Sequence, residues 1–237
     1  SQDDLTRFQA LGAQNISITG NLKFDVAPPT DSASKGDKLR ELLGSKRSIF
    51  LASSTRKGEE KRILEAVKDL HVLKGDLLTI IVPRHPERFN EVEAIIQGAG
   101  LKYQRRSQLF EPLDSNIQVL LGDSMGELFT YYAACDFTFV GGSLLKYGGQ
   151  NLIEAASMGK PILIGRHTFN FTEATKNAVR AGAAIRVKDV ADLNRRVQYL
   201  LNNASKRKIM SKAALRFSEE STGACTRMMQ LIAKHLR

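Results

Sequence analysis

Residues 137–165 read FTFVGGSLLKYGGQNLIEAASMGKPILIG. Two short apolar runs, 137–142 and 161–165, are separated by a glycine-rich loop and a helix predicted over 151–158. A helix that connects two strands carries the chain back to the end of the sheet where the first strand began, so the two strands run parallel. This stretch therefore predicts two parallel strands with a helix packed against them.

The same alternation of apolar runs and helical segments extends over most of the chain. Strands are predicted at 48–53, 77–83, 101–106, 117–122, 137–142, 161–165 and 183–187. Helices are predicted at 58–72, 86–98, 125–134, 151–158, 172–181 and throughout the segment after 187. Short apolar strands that alternate with helices are typical of a parallel sheet covered on both faces. We therefore predict an α/β fold, a Rossmann-like doubly wound parallel sheet.

The beginning of the chain departs from this alternation. A short helix is predicted over 1–12 and a strand over 16–21. Residues 23–37 are rich in proline, serine and aspartate, a composition typical of linkers. We therefore expect a connecting segment ahead of the sheet.

Composition excludes several classes of protein. The longest apolar run, 77–82, is far too short to span a membrane, and the first residues are too polar for a signal peptide. The two cysteines, Cys135 and Cys225, form no CxxC motif, which argues against a disulfide or zinc framework. We expect a soluble cytosolic chain with reduced thiols.

The net charge of +10 is concentrated in the last quarter of the chain. Residues 1–175 contain 21 basic and 21 acidic side chains, whereas residues 176–237 contain 14 basic and 4 acidic ones. Such a region suits an anionic membrane surface or a nucleic acid, and a solvated helical face is the simpler alternative. Because Tyr199 and Phe217 are its only aromatic residues, we favour a membrane surface and expect no nucleic-acid partner.

Polar, glycine-rich or basic segments follow five of the predicted strands. They occupy residues 53–60, 83–88, 122–128, 141–151 and 165–171. In open parallel sheets, ligands bind outside the carboxyl ends of the strands, where helix N-termini point. These segments therefore predict a site for a phosphate-bearing ligand along one edge of the sheet.

Several residues at this edge allow a purely structural interpretation. Ser54 with the following acidic residues, and Asp123 or Ser124 with Glu127, match patterns that cap or polarise a helix N-terminus. Arg84 and His85 are adjacent cations that suit an anion, or form a solvated turn before a helix. The residues themselves leave these alternatives open.

The quoted stretch carries the strongest indication of phosphate binding. Its first glycine pair follows a strand directly, where bare backbone can offer N–H groups to a phosphate. Its second pair leads into a helix whose Asn151 and Glu154 match the Asn-x-x-Glu capping pattern. Glu154 also lies where a carboxylate can reach ribose hydroxyls. The spacing matches neither the dinucleotide-binding nor the P-loop fingerprint.

Six motifs, taken together, resemble one family. They are GNLKFD, SSTRKGEE, PRHPERF, GDSMGEL, the stretch 141–165 and a following Asn-Phe, in this order between residues 21 and 173. The set resembles the C-terminal half of bacterial 3-deoxy-D-manno-octulosonic acid (Kdo) transferases. These are inverting GT-B glycosyltransferases of Gram-negative lipopolysaccharide biosynthesis that glycosylate the lipid A precursor at the inner membrane.

The resemblance implies an enzyme of two Rossmann-like halves with a cleft between them. The C-terminal half holds the donor CMP-Kdo, and the N-terminal half supplies the acceptor site, the membrane anchor and the catalytic carboxylate. It therefore implies that residues 1–35 are an interdomain connection and residues 36–237 a CMP-Kdo-binding domain with a helical tail. It further implies no cofactor, no metal ion and no catalytic residue in this chain, which we expect to be inactive alone.

By the resemblance, twelve residues contact the donor. Arg84 and His85 face its phosphate or sugar carboxylate, and Glu154 reaches the ribose. The others line the phosphate and nucleotide pockets: Ser54, Met125, Gly126, Glu127, Gly142, Ser143, Gly148, Gly149 and Asn151. The sequence departs from the family where Arg56 and Gln150 replace common histidines and Ala155 replaces a common proline.

Two rival interpretations come from other classes. One is the donor half of a different GT-B-like enzyme, a UDP-sugar transferase or a UDP-N-acetylglucosamine 2-epimerase. The other is a basic domain without catalytic function that binds membrane or nucleic acid through residues 176–237.

For the complete enzyme, the resemblance to Kdo transferases implies a location at the cytoplasmic face of the inner membrane and implies lipid IVA as the acceptor.

Overall fold

The computed structural model describes residues 2–235 and contains one sheet of seven strands within them. The strands are β1 (Ser48–Thr55), β2 (Leu77–Pro83), β3 (Tyr103–Arg105), β4 (Val119–Leu121), β5 (Phe137–Val140), β6 (Ile162–Ile164) and β7 (Ala184–Arg186). Every neighbouring pair is parallel, in the order β3-β4-β2-β1-β5-β6-β7. The predicted doubly wound parallel sheet is confirmed.

Helices connect the strands and cover the sheet. They are α1 (Gln2–Ala10), α2 (Ser32–Leu43), α3 (Glu59–Leu73), α4 (Phe89–Gly98), α5 (Leu128–Ala134), α6 (Leu152–Ser157), α7 (Thr172–Arg180), α8 (Val190–Asn202), α9 (Ala204–Ser221) and α10 (Ala224–His235). Among the described residues, no helix is long and apolar enough to cross a membrane.

The core consists of two apolar layers, one on each face of the sheet. Along β1, Ile49 and Leu51 join the layer formed with α2, α5, α6 and α7, while Phe50 and Ala52 join the layer formed with α3, α4 and α8. Successive side chains of a strand point to opposite faces, so a sheet covered on both sides buries all of them. This explains why the strands read as continuous apolar runs.

The strand order reverses between β1 and β5. On one side of β1 lie β2, β4 and β3, and on the other side lie β5, β6 and β7. Helices on either side of such a point diverge and leave a crevice at the carboxyl ends of the two strands. The loops after β1 and β5 therefore border the expected ligand site.

The structure corrects three predictions about local structure. Residues 16–21 do not form a strand, and α2 begins at Ser32, inside the predicted linker. The helix predicted from residue 125 begins at Leu128. Instead of pairing with the sheet, the segment before α2 packs on α10, where Arg227 Nε donates to the Thr19 carbonyl at 2.9 Å.

Glu59 joins the two loops at the point of strand-order reversal. Its carboxylate is fully buried at the start of α3 and accepts N–H groups of Arg56 (2.9 Å), Gly142 (2.6 Å) and Leu144 (2.8 Å). Burial raises the pKa of Glu59, and the backbone donors act in the opposite direction. One side chain thus holds the β1–α3 loop against the β5–α6 loop.

The neighbouring Glu60 joins the end of β1 to the loop after β2. Its buried carboxylate accepts a hydrogen bond from Thr55 Oγ1 at 2.8 Å and pairs with Arg88 at 2.6 Å. Arg88 also pairs with Glu91 at 3.2 Å. The acidic pair that starts α3 therefore connects loops in addition to any favourable effect on the helix dipole.

We expect Glu59→Gln to lower the free energy of unfolding by about 1–3 kcal/mol, because glutamine offers one acceptor oxygen to three backbone donors. For a chain of this size, that corresponds to a fall in melting temperature of several degrees. Thermal denaturation followed by circular dichroism measures it. The matched control is Glu65→Gln, an exposed position on the same helix. Equal melting temperatures for both variants would contradict the assignment.

Candidate functional site

The two glycine pairs of the β5–α6 loop hydrogen-bond to each other. The Gly149 N–H donates to the Gly142 carbonyl at 2.7 Å, and the Gln150 N–H donates to the Gly141 carbonyl at 3.1 Å. Gly142, Gly148 and Gly149 have φ values of 66°, 90° and 82°, a region that side chains disfavour. The pairs thereby close residues 142–149 into a compact loop.

Gly141 is required by the close approach of β1. A Cβ atom there would lie 2.5 Å from the Ser54 carbonyl oxygen and 2.7 Å from the Thr55 Cα. Ser54 itself has a φ of 52°, where the pairing of β1 with β2 becomes irregular. Three of the four glycines of the pairs thus meet a backbone requirement, and Gly141 meets a packing requirement.

The donor groups of Gly142 and Ser143 have partners inside the protein. The Gly142 N–H is bound by Glu59. Ser143 is fully buried, donates from Oγ to the Val140 carbonyl at 2.5 Å and accepts from the Gly165 N–H at 2.8 Å. The Gly142 N–H and the Ser143 hydroxyl therefore contribute hydrogen bonds to the fold. The expected contact of these residues with a phosphate stays a prediction.

Asn151 caps α6, as its pattern predicts. Its Oδ1 accepts the Ile153 N–H at 3.0 Å, and its Nδ2 donates to Glu154 Oε1 at 3.3 Å. Glu154 is half-buried, and this burial raises its pKa, while the Asn151 hydrogen bond and the nearby Arg84 charge lower it. A partly desolvated carboxylate beside a cation is typical of ligand-binding sites.

Arg84 lies directly after β2 and next to the end of β1, because its N–H donates to the Thr55 carbonyl at 3.0 Å. Its side chain is exposed. His85 is half-exposed, with Nδ1 3.9 Å from the Glu87 carboxylate. The structure therefore brings Arg84 and Glu154 to the same edge of the sheet from strands that are distant in sequence.

The segment after β4 presents a mixed surface. Met125 is 61% exposed, and Gly126 has a φ of 77° with open space around it. Glu127 pairs with Arg106 at 2.9 Å. The expected contacts of these three residues with the nucleotide stay predictions.

The capping interpretation of this segment is wrong. Asp123 accepts the Ser107 N–H at 2.9 Å and its hydroxyl at 2.7 Å, and Ser124 is hydrogen-bonded to the Tyr131 hydroxyl at 2.7 Å. Asp123 therefore holds the loop after β3, and neither residue caps α5.

An aromatic contact at the same edge was not predicted from the sequence. The Arg56 guanidinium lies 4.9 Å from the centre of the Tyr147 ring. The Tyr147 hydroxyl donates to the Lys57 carbonyl at 3.0 Å, and Asn170 Nδ2 donates to the Tyr147 carbonyl at 3.2 Å. A tyrosine between the two glycine pairs was the available signal, but its partner follows a different strand.

Cavities of about 530 and 600 Å³ lie away from this edge. The first is between residues 17–18 and α10, and the second is between residues 18–24, α7 and α10. Neither contains a residue expected to contact the donor. The strand order and the charged residues, and not an enclosed cavity, therefore mark the candidate site.

The sequence matches the glycosyl transferases group 1 family over residues 36–217. It is 39% identical over 235 residues to a 3-deoxy-D-manno-octulosonic acid transferase of Bordetella pertussis, covering 98% of this chain and 54% of that protein. A Haemophilus influenzae protein of the same description is 38% identical over 241 residues, covering 100% and 56%. The chain thus spans about half the length of these relatives.

This chain is also similar to the solved structure of a single domain. The C-terminal CMP-Kdo binding domain of WaaA from Acinetobacter baumannii is 30% identical with a TM-score of 0.75, covering 80% of this chain and 98% of that one. The fold is therefore that of one half of a GT-B glycosyltransferase. This chain belongs to the group 1 glycosyl transferases and, among them, to the C-terminal domains of 3-deoxy-D-manno-octulosonic acid transferases.

Proposed function

We propose that this domain binds CMP-Kdo as the sugar donor of a Kdo transferase. The observation that carries the proposal is the placement of Arg84 and Glu154 at the same edge of the sheet, beside the glycine loop and the reversal of strand order, where the Arg84 charge lowers the pKa of Glu154. The likeness to a CMP-Kdo binding domain supports the identity of the ligand. The Glu154 carboxylate accepts hydrogen bonds from ribose hydroxyls, and Arg84 faces the phosphate.

The domain contributes to transfer by stabilising the leaving group. When the bond between sugar and phosphate breaks, negative charge develops on the CMP phosphate, and a nearby guanidinium stabilises that charge in the transition state. We propose that arginine charge does this without a metal ion or a cofactor. Transfer proceeds with inversion at the anomeric carbon in this proposal.

The acceptor hydroxyl needs a base, and we propose that the base comes from a preceding half of the complete enzyme. This half also binds lipid IVA and anchors the enzyme at the cytoplasmic face of the inner membrane. The proposal is supported by the length of the relatives, of which this chain spans about half. In these terms, residues 1–35 connect the halves.

The 237-residue chain should bind CMP more tightly than UMP or UDP in calorimetric titration, and it should show no transfer from CMP-Kdo to lipid IVA. The preference follows from a site built for a cytidine nucleotide, and the lack of turnover follows from the missing base. Preference for UDP would favour a UDP-sugar enzyme. Turnover by the chain alone would contradict the division of labour.

Glu154→Ala should weaken CMP binding at least tenfold and leave the melting temperature unchanged or raised. The substitution removes a ribose acceptor and also relieves a desolvated charge, while Asn151 still caps α6. The matched variant Asn151→Ala should lose about 1 kcal/mol of stability, the usual effect of an N-cap. Calorimetry and thermal denaturation separate the two effects. Intact CMP binding with a large melting loss in Glu154→Ala would show a structural role instead.

A basic surface on α9 supports a second role in membrane contact. Lys208, Lys212 and Arg216 are exposed and four residues apart, so they lie on one helix face. Ile209, next to them, is 62% exposed. Cations combined with an exposed apolar side chain suit the boundary between anionic headgroups and acyl chains. We propose that this face approaches the membrane that carries the acceptor.

Cosedimentation with vesicles containing phosphatidylglycerol should exceed that with pure phosphatidylcholine, and it should fall with added salt. Replacing Lys208, Lys212 and Arg216 by serine should abolish most of the difference, because each basic residue contributes about 1 kcal/mol near such a surface. The matched control replaces three exposed lysines elsewhere: Lys38, Lys61 and Lys68. Equal losses of vesicle binding in both triple variants would show that binding depends only on net charge and not on this face of α9.

A further inference from the structure

Two arginines occupy equivalent positions at the ends of neighbouring strands. Thr55 of β1 is paired with Pro83 of β2, and each of them is followed by an arginine, Arg56 and Arg84. Neighbouring strands lie about 4.8 Å apart. The hydrogen bond from the Arg84 N–H to the Thr55 carbonyl keeps this spacing beyond the last pair. The two side chains therefore start from adjacent points on the edge of the sheet.

Neither arginine is neutralised within the described part of the chain. The ion pairs found there include none with Arg56 or Arg84, although Arg84 lowers the pKa of Glu154 through its charge. The contrast is Arg88, three residues after His85, which pairs with both Glu60 and Glu91. Arg88 therefore stabilises the fold, whereas the charges of Arg56 and Arg84 are not used in an ion pair of the described residues.

The acidic residues nearest to Arg56 in sequence are already occupied. Glu59 directs both oxygens to backbone N–H groups of the two loops, and Glu60 binds Thr55 and Arg88. The half-buried Arg56 instead lies over the face of Tyr147. An aromatic face restrains a guanidinium without using its N–H donors, so the donors remain able to bind a planar anion.

The donor of the proposed function carries two anionic groups. In CMP-Kdo the phosphate ester is attached to the anomeric carbon of a 2-ulosonic acid, and the carboxylate is attached to that same carbon. The two anions are therefore only a few ångströms apart, and a complementary site needs two cations with similar spacing. Arg56 and Arg84 are such a pair, since their backbones are held on adjacent strands.

We infer that Arg56 binds the carboxylate of the donor sugar, while Arg84 binds the phosphate. A guanidinium can form two parallel hydrogen bonds with a carboxylate, so Arg56 selects an acidic sugar over a neutral one. The inference rests on the proposed function, because it assigns one group of the same ligand. Tyr147 is then a positioning residue that orients Arg56.

The experiment compares the affinities for CMP and for CMP-Kdo, which differ by the group that Arg56 is assigned to bind. Arg56→Gln should weaken CMP-Kdo binding about ten- to a hundredfold, as expected for a charge-assisted contact, and should leave CMP binding unchanged. Arg84→Gln should weaken binding of both ligands. Arg56→Lys should recover part of the loss, because it keeps the charge but not the two-bonded geometry.

Tyr147→Leu provides a second measurement that keeps the arginine. It should weaken CMP-Kdo binding less than Arg56→Gln does, again without an effect on CMP. Melting temperatures of all variants identify any loss of folding. If Arg56→Gln weakens both ligands equally, or neither, the carboxylate assignment is wrong although the domain still binds CMP. If the unaltered chain binds no CMP, the proposed function fails and the assignment fails with it.

Discussion

The arrangement of the candidate site depends on the buried carboxylate of Glu59. It is placed at the start of α3 and accepts N–H groups from both loops that border the reversal of strand order. Without an acceptor there, the two loops would bury unsatisfied donors, which costs more than an ordinary hydrogen bond contributes. The path of the glycine loop, and with it the position of α6, therefore depends on one side chain from a different βα unit.

This constraint changes how the edge of the sheet can hold an anion. Glycine loops often bind phosphate through free backbone N–H groups. Here the Gly142 and Leu144 N–H groups are used by Glu59, and the pairs of glycines close the loop on itself. In the proposed function, the charge of the ligand is therefore met mainly by side chains beside the loop and less by the loop backbone. Arg56 and Arg84 fit that role, because neither forms an ion pair within the described residues; Arg84 is exposed, and the half-buried Arg56 lies over Tyr147 with its N–H donors free of carboxylates.

Much of the fold and part of the site followed from local patterns. All seven strands of the sheet were predicted. Runs such as 77–83 are buried on both faces of the sheet, so their sequence is continuously apolar and lacks the spacing of apolar residues typical of an amphipathic helix. The N-cap Asn151 was predictable, because capping involves residues two apart in the chain. The strand expected at 16–21 was wrong, because an alternating pattern indicates one buried face but not the surface that buries it. In the structure this segment packs on α10, about two hundred residues later.

The fold class and the family followed from the sequence alone, which also predicts a ligand site at one edge of the sheet. These rest on periodicity and on motifs within single βα units, which are local properties. The polar groups that the fold itself uses became evident only in the three-dimensional structure. The spacing of residues could not show that Glu59 binds Gly142, that Arg88 is neutralised by Glu60, or that Arg56 rests on Tyr147. Such contacts join loops from separate strands, and only the strand order brings them together.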